Sequence, residues 1–218
     1  HIHIAEQIAE VERCLEVHGR RPVEWLLENV EVGENWNLIH ATHLTLDEIK
    51  GIAKSGATVV LCPTTEANLG DGLFPLKDFS AAGGRYSIGS DSHVSVDPRE
   101  ELRLLEYGQR LSFRHRGIAG KNPGPALWQA AIKGGATGMG HKKAGLQVGA
   151  PAHINVLDEN APGLVGRDGD EILDSLIFAG QPNPIRDVMV NGTWQVRDFR
   201  HKNEDALSAN FVSVLRAL

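Results

Sequence analysis

His1-Ile2-His3-Ile4-Ala5-Glu6-Gln7 opens the chain as a short strand pattern, with imidazoles on alternate positions and a carboxylate three residues after the second. A His-x-His pair on an apolar strand is one way a hydrolytic metal site begins, so this stretch reads as the start of such a site or as its midpoint. The residues downstream of it decide the fold class. Strand-like runs at 1–5, 36–42, 57–62 and 85–90 alternate with helical patterns, the signature of βα units around a parallel sheet. The helical patterns cover 23–29 after Pro22, 46–54 behind the capping box Thr45-x-x-Glu48, and 76–82 after Pro75. Two more run from Asp97-Pro98 to about Leu111 and over 125–133, where Gly134-Gly135 is expected to stop the helix.

In α/β barrels chemistry gathers at the C-terminal ends of strands. The four strand ends here offer His3 with Glu6, His40 with His43, Cys62-Pro63-Thr64-Thr65-Glu66, and Ser90-Asp91-Ser92-His93. Imidazole and carboxylate converging at one mouth suit a zinc ion that keeps an open position for water. Each piece also has a plainer reading. A single strand histidine is more often packed and hydrogen-bonded than a metal ligand, and His18, His115, His141 and His201 fit that description or simple exposure. Glu6 could be a first-turn carboxylate facing a helix dipole, Asp91 a turn cap, and Cys62 a small buried apolar residue.

Beyond about Gly145 the pattern changes to short strands at 152–157, 175–179, 187–190 and 193–196, the last two joined by Asn191-Gly192, a strong hairpin signal. Residues 204–218 carry Leu207, Phe211, Val214, Leu215 and Leu218 at helical spacing and are expected to pack back on the body. The expected division is therefore 1–144, 145–200 and 201–218.

Composition narrows the function classes. With 218 residues, 41% hydrophobic and 23% charged, the chain can build a substantial core. A net charge of −6 gives no basic stripe for a phosphate backbone, which favours a small-molecule substrate over nucleic acid. Two cysteines form no disulfide framework, which fits the cytoplasm, and no apolar run reaches the roughly 20 residues of a membrane helix.

The stretches "HIHIAEQ", "LIHATHL", "CPTTEANLGDG" and "GSDSHVS", in that order, resemble the second half of the amidohydrolase superfamily barrel, and within it the formimidoylglutamate deiminases. "VGAPAHINVLD" and "VNGTWQVRDFRH" resemble the superfamily's returning β-sandwich strands, although Pro151-Ala152-His153 stands where relatives usually have Pro-Ala-Asp. The "CPTTEANLGDG" segment is the more specific part, since nucleobase and triazine relatives more often carry a Cys-Pro-x-Ser-Asn type of sequence.

The resemblance implies an α/β fold comprising strands five to eight of a (β/α)8 TIM-type barrel, plus strands of a small β-sandwich domain. It implies that His3 and Asp91 are metal ligands for one Zn²⁺, that His40 and Asp91 act on the attacking water, and that Glu6 shuttles protons. The implied reaction is hydrolysis of N-formimino-L-glutamate to N-formyl-L-glutamate and ammonia, a step of histidine degradation, in a homodimer. Other amidohydrolases acting on a nucleobase, a triazine or an N-acyl substrate are alternatives, as is an inactive assembly module. Arg85 and Arg99 flank the fourth strand but lie in no motif that assigns them to the substrate's carboxylates.

Spacing then places the opening stretch. Asp91 lies 88 residues after His3, about three βα units at roughly 30 residues each. A strand-one His-x-His would put the strand-eight Asp some seven units later. His1-x-His3 is therefore expected to be strand five, with the true His-x-His pair and the rest of the first half upstream.

Overall fold

The computed structural model describes residues 1–180 and 182–218. Its first body is a parallel sheet in the order β1-β2-β3-β4: Ile2–Ile4, Asn37–His40, Thr58–Leu61 and Arg85–Ile88. Each neighbouring pair is parallel, with Ile4 opposite His40 and Leu61 opposite Ile88. The register aligns the C-terminal strand ends along one edge, so residues widely separated in sequence share one rim. The central strands are apolar and buried, as expected of a sheet covered by helices on crossover connections.

The crossovers are α1 (Ile8–His18) and α2 (Pro22–Asn29), then α3 (Leu46–Ser55), then α4 (Pro63–Leu69) and α5 (Leu76–Ala81), with α6 (Pro98–Phe113) and α7 (Pro123–Gly138) after β4. The capping box of α3 forms as read: Thr45 Oγ1 accepts from the Glu48 amide, and the Glu48 carboxylate accepts from the Thr45 amide. Ile4, Val11, Leu38, Ile52, Val59, Phe79, Leu102 and Leu127 meet in one core between sheet and helices.

Helices α1 and α4 were not expected from the sequence pattern. Glu10 explains the first: its two carboxylate oxygens accept from the amides of Ala5 at 2.7 Å and Glu6 at 2.9 Å, tying the turn after β1 to the start of α1. Pro63 sits at the first position of α4, where its missing N–H costs nothing. Gly134-Gly135 does not end α7, which continues to Gly138. A Cβ at Gly134 would lie 1.9 Å from the Tyr86 carbonyl oxygen, so this glycine lets the helix sit directly on β4.

The second sheet is antiparallel, in the order β5-β6-β7-β8: Ile154–Leu157, Ile185–Val190, Thr193–Arg197 and Arg200–His201. The Asn191-Gly192 hairpin is present, with φ of 48° and 77° at its two turn residues. The strand expected at 175–179 is instead the end of α8 (Asp170–Phe178). Ile172, Leu173, Leu176 and Ile177 have helical spacing behind an acidic first turn at Asp170 and Glu171, and a view limited to the apolar end of that pattern misses its period.

Helix α8 packs against α6 and α7 and contributes Ile177 to the main core, so 145–200 is not made of sandwich strands alone. The last helix, α9 (Glu204–Ala217), buries none of its residues, contrary to the expectation that it packs back on the body. Its apolar residues find no complementary surface among the described residues; Phe211 is 65% exposed. No helix of the described residues is long and apolar enough to cross a membrane.

Candidate active site

Four residues from three separate strand ends meet at the C-terminal rim of the parallel sheet. His3 lies on β1 and Glu6 just beyond it, His40 ends β2, and Asp91 follows β4. The backbone at this rim adopts the left-handed region at several non-glycine residues: Ala5 (φ 50°), His40 (67°), Ala41 (48°), Asp91 (41°) and His93 (59°). Such conformations are disfavoured for L-residues and persist where the surroundings impose them, most often at functional sites. Here amides past the strand ends still reach across: Ala41 donates to the Ile4 carbonyl and His43 to the Ala5 carbonyl, both at 3.0 Å.

His40 is the centre of the arrangement and is fully buried. Its Nε2 lies 3.3 Å from His3 Nδ1 and 3.5 Å from Glu6 Oε1, and its Nδ1 lies 3.2 Å from Glu66 Oε1. Burial pushes the His40 pKa down. The Glu66 hydrogen bond and the charges of Glu6, Glu66 and Asp91 outweigh it, leaving the imidazole above its ordinary value. Burial is also the largest influence on Glu6, with Asp71 and Asp91 adding to it against His40 and His3, and its carboxyl is held above its usual range. His40 and Glu6 thus face each other at 3.5 Å with both pKa values displaced upward, an arrangement that suits proton exchange between them.

The loop bearing Asp91 is anchored from α4. Thr65 Oγ1 pairs with Ser92 Oγ at 2.8 Å and accepts from the Ser92 amide at 3.2 Å. Helix α4 is anchored in turn by buried Glu101 of α6, whose carboxylate accepts from the Thr64 amide and hydroxyl at 2.9 and 2.6 Å. Cys62 is buried, and burial pushes its thiol pKa well up, so it matches the small apolar reading. Arg85 donates to the Gly56 carbonyl and Arg99 grips Asp97 through two nitrogens, so both have structural work in this chain.

One ligand atom each from His3, His40 and Asp91 lies within 4.8 Å of the others. Zinc–nitrogen bonds of about 2.0–2.1 Å in a tetrahedral shell put neighbouring donors roughly 3.3 Å apart, and two imidazoles with one carboxylate are a donor set that zinc accepts. The 3.3 Å between His3 Nδ1 and His40 Nε2 matches that spacing, so the donor chemistry of the triad is compatible with a zinc ion. The sequence-based ligand set was His3 and Asp91; the structure adds His40 within ligand distance of both. It also brings in Glu66, to which the sequence pattern assigns no role. The signal lay in its place on the first turn after a strand, four residues beyond Cys62.

An α/β sheet with an imidazole and carboxylate cluster on its C-terminal rim defines the class of metal-dependent hydrolases, and the comparisons agree. The sequence model of the amidohydrolase family matches residues 1–195, and the chain belongs to that family. It is 50% identical, over its whole length, to formimidoylglutamate deiminase of Pseudomonas aeruginosa, covering 49% of that protein. It is 30% identical, over 91% of its length, to 5-methylthioadenosine/S-adenosylhomocysteine deaminase of Halobacterium salinarum, covering 46% of it. A crystal structure of an amidohydrolase from Brucella melitensis superposes with a TM-score of 0.95 at 46% identity, over the whole chain and 48% of that structure. An adenosine deaminase from Xanthomonas campestris with bound zinc shares the fold at a TM-score of 0.86 and 24% identity, over 99% of this chain and 50% of that one. The chain thus spans about half the length of the relatives it matches.

Proposed function

We propose that these residues are strands five to eight, and part of the sandwich domain, of a zinc-dependent formimidoylglutamate deiminase. The observation that carries this reading is the meeting of His3, Glu6, His40 and Asp91 on one rim in a chain 50% identical to a deiminase of that name. The division proposed is 1–144 for the barrel half and 145–200 for the sandwich strands, with α8 returning to the barrel. Residues 201–218 form a helix left exposed here. The complete enzyme is proposed to be a cytoplasmic homodimer.

In the proposed reaction the formimino group, HN=CH–NH–R, takes up water and becomes the formamide O=CH–NH–R with loss of ammonia. His3 and Asp91 would hold zinc together with ligands from the other half of the barrel; when bound, zinc lowers the pKa of a water to about 7. The residues of this chain then divide the proton work. The Asp91 carboxylate accepts the first proton from the attacking water. His40 Nε2, facing the same space, accepts a hydrogen bond from the attacking water and orients it. Glu6 protonates the imine nitrogen, takes the hydroxyl proton of the adduct as the C=O bond forms, and passes it to the nitrogen as the C–N bond breaks and ammonia leaves; the proton held by Asp91 then restores Glu6.

The direct test is ammonia release from N-formimino-L-glutamate by the protein at its full natural length. No release, with zinc bound, overturns the assignment. A second reading, deamination of a purine nucleoside, is favoured by the similarity to 5-methylthioadenosine/S-adenosylhomocysteine deaminase. Turnover of that substrate in place of N-formimino-L-glutamate decides for it. Stoichiometric zinc and turnover by residues 1–218 alone would remove the half-barrel reading, because β1 and β4 are open sheet edges here.

A further inference from the structure

We propose that Glu66 is a positioning residue for His40: its carboxylate fixes the proton on Nδ1, which turns Nε2 toward the reacting centre. This deepens the deiminase reading and rests on it for the catalytic consequence, while the state of the ring is measured independently.

An imidazole in a buried site can present either nitrogen, and the partner of one nitrogen sets the role of the other. Among the described residues the partner of His40 Nδ1 is Glu66 Oε1 at 3.2 Å, an oxygen that also receives the Cys62 amide and so acts as an acceptor. Nδ1 must therefore be the donor. Nε2 is left for the groups on the rim, His3 Nδ1 and Glu6 Oε1.

The acceptor is itself held in place. Glu66 Oε1 also receives the Cys62 amide at 2.9 Å, and the Glu66 side chain is only 5% exposed, so the carboxylate is held from two sides in a buried position. It stands on α4, which Thr64 binds to Glu101, while neighbouring Thr65 carries the loop of Asp91. One short helix thus orients His40 and steadies Asp91 at once. A carboxylate that served only as a helix cap would have no need to meet an imidazole whose other nitrogen faces Glu6.

The experiment uses the full-length zinc-loaded protein with ¹⁵N-labelled histidine. In the unmodified protein His40 Nδ1 is expected to carry a proton; an unprotonated Nδ1 overturns the proposal without recourse to any variant. Glu66→Gln keeps an acceptor oxygen between the Cys62 amide and His40, and is expected to retain the Nδ1 proton, with kcat within about 10-fold of normal. Glu66→Leu removes the acceptor. It should mix the tautomers and lower kcat by about 100-fold, with KM and zinc content unchanged. Equal loss in both variants, or a fixed Nδ1 proton in Glu66→Leu, counts against the proposal. If Glu66→Leu does not fold, the unmodified ring and Glu66→Gln still decide it. If N-formimino-L-glutamate is not a substrate, the ring measurement still stands, so the two readings fail separately.

Discussion

The parallel sheet and the antiparallel sheet use strands of similar length, yet they meet solvent differently. All four residues of β2 are buried, whereas β7 has no fully buried residue. The helices show the same contrast: α6 buries seven residues and α9 none. The parallel body gathers its apolar residues into one buried core, while Leu46, Val96 and Leu111 stay exposed on it. The C-terminal part displays apolar side chains that this chain does not cover. The candidate site lies on the first, where His40 and Glu66 are buried and hydrogen-bonded to each other.

The sharpest way to test that contrast is at Glu6, which depends on the rigid rim. Glu6→Gln keeps the shape and removes the proton carrier. In the full-length enzyme it should retain zinc and lose about 10³- to 10⁴-fold in kcat, measured by ammonia release. Near-normal turnover would take Glu6 out of the mechanism. Next in size is the core. Phe79 is fully buried, stacked edge-on to Phe74 at 5.1 Å, and Phe79→Ala should cost about 3–5 kcal/mol in denaturant unfolding. Gly134→Ala comes after it, at about 1–3 kcal/mol, because the new methyl forces α7 away from the Tyr86 carbonyl. A smaller loss there would mean that α7 can slide on β4 without penalty.

The two regions were also unequally legible in the sequence. All four parallel strands fall within the runs read from their apolar pattern: β2 and β3 are buried almost throughout, and the edge strands bury Ile4, Tyr86 and Ser87. The rim positions of His3, Glu6, His40 and Asp91 were legible from their place on a strand or within three residues after one, whereas the roles given to them rest on the resemblance. Glu66 was not assigned a role, since its partner lies 26 positions away and a contact from α4 to the end of β2 leaves no local mark. Local propensity also misled at Gly134, where close packing on β4 outweighs the usual preference against glycine in a helix. At α8 the helical period was hidden because its apolar end alone resembles a strand. At α9 the amphipathic pattern was read correctly, and the partner surface was the part that no pattern supplies.

A smaller effect is expected at the Asp97 and Arg99 pair before α6. Burial raises the Asp97 pKa, but the Arg99 hydrogen bonds and charge outweigh it and hold the carboxyl below its usual range. A depressed carboxyl stabilises the fold above its unfolded pKa, and that contribution disappears as pH falls through the lower folded value. Thermal melts of Asp97→Asn and the unmodified protein should therefore converge as the pH is taken below about 4. Asp97 is about a third exposed, so screening by solvent and salt keeps the difference at neutral pH modest.

The smallest effect is expected on the exposed helix, and it bears most directly on the contrast between the two regions. Phe211 and Phe79 are the same residue type, but Phe211 is 65% exposed and Phe79 fully buried. A side chain that is nearly as solvated folded as unfolded has little transfer free energy to lose. Phe211→Ser in residues 1–218 should change unfolding free energy by less than about 0.5 kcal/mol. In the full-length protein the same substitution separates two cases. If the rest of the protein covers α9, the cost should rise towards the roughly 3–5 kcal/mol of a buried phenylalanine. If it stays below about 0.5 kcal/mol there as well, the apolar face of α9 contributes nothing to folding.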